Sequence, residues 1–463
     1  MTARGASGLD GSLSTVAGVA WPPLATGFGA VLAALLRQLE TSEYADPDAI
    51  AAGQRAQLAI LAEHCGKYSR QFKARLAAAK LKPRDLGEAG ALDALIPLRR
   101  RDLQVPASKL YCTEVPQPHL PLTQNYTSGS TGEPVVTRQT NVTQLFFQAM
   151  AMRDHLWHGR DFRRRAAEMR SVPGDKNARL DDWGVPVNTL YRSGPSLGIP
   201  SRTPFKSVLA TLAEFQPDNL LIYPNLLGGL VDYCGAHGVA PPTIPHLRTT
   251  GETLSPELRE AAAGLFRGKV EDCYSSQELG YIAIECPVSG LYHVMAENLI
   301  VEVLDARGKP CREGETGRLV ITHLHNFATP LIRYDIGDYA EVAGPCACGR
   351  TLPTLKRIVG RERNLVLMPD GSRKWPFTGY RRFRDHAPVR QFQFVQLDRR
   401  TIEVRLVVDA PLTPEQEAGL RGVIERSIGP PFEIRFAFFD DRLPVGANGK
   451  FEDFLCLATA DMT

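Results

Sequence analysis

Apolar positions along the chain change period several times, and each change marks a region. Phe28, Val31, Leu32, Leu35, Leu36 and Leu39 recur at the spacing of one helical face. Asp46-Pro47 predicts a helix start, with the carboxylate as cap and proline at the first helical position, where its missing N–H costs nothing. The Ala-, Leu- and Gln-rich stretch from Ala49 to Lys80 predicts continuous helix. From about residue 120 to 285, short apolar runs alternate with helical stretches. Leu220-Leu221-Ile222-Tyr223, entered through Asp218-Asn219 and closed by Pro224, is one such run. That alternation predicts an α/β region with a buried sheet. Between 297 and 343 the texture turns to strands, at Leu299–Leu304, Arg318–Leu324 and Tyr339–Val342. A third region begins near residue 362, with strands at Phe392–Gln396, Thr401–Val408 and Glu433–Phe438 and a helix over Pro414–Ser427. It is the right size for a small α+β domain.

Composition adds exclusions. At 463 residues the chain exceeds the roughly 250–300 residues of a single core, so two domains are expected. Its 54 basic and 51 acidic residues leave a net charge of +3, which offers no electrostatic ground for a nucleic acid or membrane partner. The nine cysteines are spread along the chain, which points to a reducing, cytoplasmic setting and against a disulfide scaffold. Residues 11–36 carry no charge, but Trp21-Pro22-Pro23 splits them and Arg4 stands nearly alone before them. We therefore expect a tail leading into a helix, with neither an export signal nor a membrane anchor.

The segment Tyr126-Thr127-Ser128-Gly129-Ser130-Thr131-Gly132-Glu133-Pro134 places two glycines among four hydroxyl residues. Exposed N–H and O–H donors on such a loop suit the oxygens of a polyphosphate. The Gly-Lys-Ser/Thr ending of a Walker loop is missing, which disfavours P-loop chemistry. Taken alone, the run also fits a surface turn.

Further segments follow in a telling order. The loop resembles the phosphate-binding loop of the adenylate-forming superfamily of acyl-CoA synthetases, peptide-synthetase adenylation domains and luciferases. Thr250-Gly251-Glu252-Thr253 resembles its adenine-contacting turn, and Tyr274-Ser275-Ser276-Gln277-Glu278 its Tyr-Gly-x-Thr/Ser-Glu motif. Pro330 to Asp338 is similar to the ribose-binding motif, Arg357-Ile358-Val359-Gly360-Arg361 to the hinge, and Gly446 to Lys450 to the segment holding a C-terminal lysine. Pro345-Cys346-Ala347-Cys348-Gly349-Arg350 and the helical opening most resemble the phenylacetate–CoA ligase branch.

The resemblance implies a large α/β N-terminal domain over residues 1–361, with a helical start over 1–85 and a β-rich subregion. It also implies a small, mobile α+β C-terminal domain over 362–463. The implied activity is attack of a carboxylate on ATP to give acyl-AMP and pyrophosphate, then transfer to coenzyme A. Both reactants are anionic, so the site must neutralise charge. Glu278 would hold Mg²⁺, Tyr274 would stack on adenine beside Ser275, Gly251 and Glu252, and Asp338 would accept from the ribose hydroxyls. Lys450 would bridge the carboxylate and the α-phosphate, and Arg361 and Arg363 sit where the small domain pivots. Lys450 stands out independently, because it is the one lysine beyond Trp375 among eleven arginines. A compact ammonium on a flexible stem reaches a phosphate where a planar guanidinium does not. The acid would be aryl or arylacetic, with Trp183, Tyr191, Tyr223 and Pro224 in the region of its pocket.

The chain departs from the family pattern at Ser275, at Gln277 and at Val135, where many relatives carry lysine. Met368 to Arg373 also differs from the glycine-rich stretch expected along a pantetheine tunnel. Transfer to an amine or a carrier protein is therefore a rival reading, and a regulatory nucleotide-binding protein without activity a more distant one. Finally, Cys286, His293, Cys346 and Cys348 supply the three sulfurs and one imidazole of a closed structural zinc site, with Cys311 as a competing partner and separate buried cysteines as the alternative. Some relatives of the phenylacetate–CoA ligase branch carry a similar set here.

Overall fold

The computed structural model describes residues 11–104, 109–127, 135–170, 176–361, 366–370, 373–374, 383–429, 432–440, 443 and 454–458. Helices α1 (Gly27–Ser42), α2 (Pro47–Tyr68) and α3 (Arg70–Ala78) open it, and the one-turn α4 (Arg100–Leu103) closes the opening. The Asp46 carboxylate caps α2 by accepting from the Asp48 N–H at 2.8 Å. The stretch expected as one helix is broken at Ser69. Its hydroxyl accepts from Phe72 N and donates to Leu110 O, so the side chain starts a new helix and anchors it. On α1 the buried stripe is Leu32, Leu36 and Leu39, while Phe28 and Val31, 40% and 53% exposed, fall on its flank.

Strands β1 (Thr123–Thr127) and β2 (Val135–Gln139) pair antiparallel ahead of α5 (Asn141–Trp157). Then come β3 (Ala166–Arg170), β4 (Ala178–Leu180), α6 (Val187–Leu190), β5 (Ser196–Pro200), α7 (Phe205–Phe215), β6 (Asn219–Ile222), α8 (Pro224–His237), β7 (His246–Thr250), α9 (Pro256–Phe266) and β8 (Lys269–Ser276). The β-rich part follows as β9 (Gly280–Glu285), β10 (Tyr292–Val294), β11 (Leu299–Leu304), β12 (Thr316–His323), β13 (Tyr334–Val342) and β14 (Thr354–Arg361). These strands form one twelve-stranded sheet in the order β11-β12-β13-β14-β10-β9-β8-β7-β6-β3-β5-β4. Its centre, β5-β3-β6-β7-β8, is parallel, and β9 then runs antiparallel to β8. Met169, Ile199, Ile222 and Leu247 on the parallel strands pack with Leu212, Leu230 and Phe266 from α7, α8 and α9. Strands buried this way read as continuous apolar runs, as Leu220–Ile222 does.

The remaining elements are β15 (Val366–Leu367), β16 (Arg373–Lys374), α10 (Phe383–His386), β17 (Val389–Gln396), β18 (Thr401–Val408), α11 (Pro414–Ile428), β19 (Glu433–Phe439) and β20 (Phe454–Cys456). Four of them form a sheet in the order β19-β18-β17-β20. Phe394, Val404, Leu420 and Ile424 fill its core. The chain divides into two compact units, one formed largely by residues before Val359 and the other largely by residues from Val359 onward.

Candidate active site

Three neighbouring parallel strands end on the same edge, and each end carries a group singled out by the sequence. Tyr223 follows β6 and is the N-cap of α8, with Pro224 its first residue. Thr250-Gly251-Glu252 closes β7, and Tyr274 to Glu278 closes β8. The carboxyl edge of a parallel sheet is where backbone groups turn outward and ligands bind. Gly251 sits at φ +78, a conformation that favours glycine. The Glu252 carboxylate accepts from Asn225 N at 2.9 Å, set against the positive end of α8. Thr250 and Ser275 join their hydroxyls at 3.0 Å across β7 and β8. Ser275, which departs from the family's glycine, is thereby integrated into the edge.

Glu278 is 5% exposed. Arg100, from α4, points its Nη1 at Oε1 of Glu278 from 3.5 Å. Asn125 of β1 donates to Gln277 O at 3.1 Å, and Gln139 of β2 donates to Glu278 O at 3.2 Å. The β1–β2 pair therefore holds the glutamate segment by its backbone. Arg100, Asn125 and Gln139 were not found by sequence reasoning. Arg99-Arg100-Arg101 reads as a solvated charge run, and Asn125 and Gln139 lie in no motif.

In the ribose-motif segment, Asp338 lies on β13, 7% exposed, after Gly337 at φ +81. Arg333 turns inward. It holds φ +55 while its guanidinium pairs with Glu302 at 3.0 Å and donates to Leu95 O at 2.7 Å. A non-glycine residue persists there because these contacts over-determine it. Leu98 N donates to Arg333 O at 2.7 Å and Asp335 N to Leu98 O at 2.8 Å, which pins the segment leading into α4 beside β13.

Other expected residues are placed unevenly. Thr127 ends β1 and Arg361 ends β14, with backbone alone described. Ser128, Gly129, Ser130, Thr131, Gly132, Arg363 and Lys450 lie outside the described residues. Trp183 and Tyr191 pack around Phe162, with ring centroids 5.4 and 5.0 Å from it.

A second cluster gathers Cys286, His293, Cys346 and Cys348, whose ligand atoms all lie within 4.8 Å of one another. Cys286 and Cys346 sulfurs are 3.7 Å apart, and Cys348 Sγ is 3.3 Å from His293 Nε2. Ligands around tetrahedral zinc stand about 3.8 Å apart for two sulfurs and about 3.6 Å for sulfur and nitrogen, so these two pairs come close to the spacing around that ion. Cys311 is not a member. A turn brings Cys286 round to Leu291, whose carbonyl accepts from Cys286 N at 2.7 Å. Burial alone would raise the Cys286 thiol, but the N–H groups of Ser289 and Val288 outweigh it and hold the thiol below its ordinary range. Burial and then Arg350 lower His293 to about 4, which keeps the ring neutral and able to ligate. Cys348 is pushed up to about 11 by burial. Around the cluster, Arg350 N donates to Cys348 Sγ at 3.5 Å and its guanidinium meets Glu43 at 3.0 Å.

The profile of the family described as AMP-binding enzyme matches residues 55–329. The chain belongs to the AMP-binding enzyme family. Among curated relatives, the chain is 36% identical to a phenylacetate-coenzyme A ligase of Thermus thermophilus over 164 residues, 34% of this chain and 37% of that one. It is 24% identical to the phenylacetate-coenzyme A ligase of Pseudomonas putida over 163 residues, again 34% and 37% of the two chains. The chain thus spans just over a third of the length of the curated relatives it matches. Among solved structures, 2-hydroxyisobutyryl-CoA ligase in its postadenylation state superposes with a TM-score of 0.67 at 15% identity, covering 87% of this chain and 88% of that one. The same ligase in its thioesterification state gives 0.57 at 16% identity, covering 90% and 91%. These likenesses establish the adenylate-forming fold.

Proposed function

We propose that this protein activates a carboxylic acid with ATP, forming acyl-AMP and pyrophosphate, and passes the acyl group to coenzyme A. The observation that carries this reading is the convergence of the Thr250-Gly251-Glu252 turn and buried Glu278 on the carboxyl edge of β7 and β8. An adenine ring would lie against Gly251, which carries no side chain of its own, and Tyr274 would supply an aromatic face. Asp338 would accept from the ribose hydroxyls, and Lys450 would serve the attack of the carboxylate. Magnesium, when bound at Glu278, would neutralise phosphate charge as pyrophosphate departs. Arg100, beside Glu278, adds a cation to a site whose loop has Val135 where many relatives have lysine. The small C-terminal unit, entered through Arg361 and Arg363, would act as the lid.

We assign the acid to the aryl or arylacetic class on the partial likeness to phenylacetate-coenzyme A ligases. The Cys286–His293–Cys346–Cys348 set would hold a structural zinc ion, since four protein ligands leave no open position for water. The test is pyrophosphate release across a panel of acids, followed by product analysis with and without coenzyme A. Aryl acids should be turned over and yield thioesters only when coenzyme A is present. Acyl transfer to amines alone would replace the second half of this reading.

A further inference from the structure

Below the hydroxyl pair of Thr250 and Ser275, the same face of the sheet carries groups with no part in nucleotide chemistry. Tyr281 lies directly opposite Ser275 across β8 and β9, so both side chains point to one side. On α5, Phe147, Ala151 and Asp154 share the helical face that meets them. The Phe147 ring, 41% exposed, stands 5.4 Å from the Tyr281 ring, and a Cβ at Gly280 would come within 3.3 Å of it. Phe147 therefore covers the turn just after Glu278. Ala151 and Cys273, both buried in the core cluster that holds Tyr281, are small.

Arg248 closes this face. Its Nε lies 2.7 Å from Asp154 Oδ2, and its Nη2 donates to the Tyr281 hydroxyl. Among the described residues, Nε of Arg248 has no hydrogen-bond partner despite its approach to Asp154, and the Tyr281 hydroxyl accepts from Arg248 without donating. A buried hydroxyl and a partly buried guanidinium thus hold donor capacity side by side. Arg248 shares its carboxylate partner with other cations. Asp154 is already met by Arg160 at 3.1 Å and His158 at 3.0 Å, and Arg160 also reaches Glu271, which His246 approaches to 2.9 Å. Two carboxylates face two guanidiniums before either histidine is counted, so the cluster tolerates a further acceptor better than a further donor.

We propose that the acid's side chain enters between α5 and strands β7 to β9, and that Arg248 and Tyr281 select acids bearing a hydrogen-bond acceptor at the end remote from the carboxylate. The inference rests on the adenylating reading and narrows its substrate to oxygen-substituted aryl acids. An unsubstituted ring would bury the Tyr281 hydroxyl and the Arg248 N–H against carbon, and sites built to hydrogen-bond a substrate oxygen reject analogues that lack it.

The experiment compares matched pairs, phenylacetate with 4-hydroxyphenylacetate and benzoate with 4-hydroxybenzoate, by kcat/KM for pyrophosphate release. The wild-type protein should prefer the hydroxylated member by roughly tenfold or more. Tyr281→Phe keeps the ring and its contact with Phe147, and should erase that preference mainly through the hydroxylated acid. Arg248→Met should do the same. If both members of each pair lose rate equally in Tyr281→Phe, the hydroxyl is structural and the inference falls while the adenylating reading stands. Equal turnover of both members by the wild-type protein would overturn it in the same way. Turnover of no acid at all would overturn both.

Discussion

Arg100 faces Glu278 at 3.5 Å, a cation from the opening helices set against a carboxylate at the sheet edge. The arginine is a third exposed and the glutamate nearly buried, so the pair sits at the boundary with solvent. A divalent ion bound at Glu278, as proposed, would compete with the guanidinium for the same oxygen. Glu278→Gln is expected to cut pyrophosphate release by about a hundredfold or more with the fold retained, because the amide cannot hold the metal charge. Wild-type activity in that variant would reject the assignment of Glu278.

Arg100→Gln should lower the magnesium concentration needed for half-maximal pyrophosphate release, since the carboxylate no longer exchanges one cation for another. A magnesium titration reads this directly. An unchanged midpoint would show that the two cations do not compete.

Purified protein should contain about one zinc per chain. Cys346→Ser should lower both metal content and melting temperature, because the binding energy of a structural site is folding energy. Trp157, whose ring lies 5.5 Å from that of His293, should report chelation as a fluorescence change that Trp157→Phe loses. Full zinc occupancy in a Cys346→Ser, Cys348→Ser double variant would remove this ligand set from consideration.

Acid stability should depend on His323 and His325. Burial lowers His323 to about 3, and burial with nearby His119 lowers His325 to about 4. Both rings are neutral in the folded state and protonate on unfolding below about 6.5, so stability is full above that pH and declines as pH falls toward 4 and then 3. The slope is roughly 1.4 kcal/mol per pH unit for each ring. Among the described residues neither nitrogen of His323 has a hydrogen-bond partner. His323→Leu should therefore raise the melting temperature at pH 5 and flatten its pH dependence. A variant with the wild-type pH slope would count against the buried neutral ring.

Lys450→Ala should cripple acyl-AMP formation from acid and ATP by about a hundredfold or more, the usual effect of losing a charge contact in a site that excludes water. Transfer from pre-made acyl-AMP to coenzyme A should survive. Equal slowing of both half-reactions would separate Lys450 from the adenylating step.

The sequence by itself determined features whose information is local or lies in an ordered set of motifs. Strands Leu299–Leu304 and Thr401–Val408 match their expected bounds, because alternation and turn residues are properties of a short stretch of backbone. The Asp46 cap is equally local. The four candidate metal ligands were legible because ligand chemistry admits few residue types. Tertiary structure decided the rest. Ser69 divides a stretch of good helix-formers because Leu110 O, 41 residues away, receives its hydroxyl. Arg100 meets Glu278 across 178 residues, and Arg248 meets Asp154 and Tyr281 from a different strand. A charged side chain looks the same in sequence whether it ends in water or against a carboxylate. Its partner is chosen by how the chain closes on itself, and no local pattern records that closure.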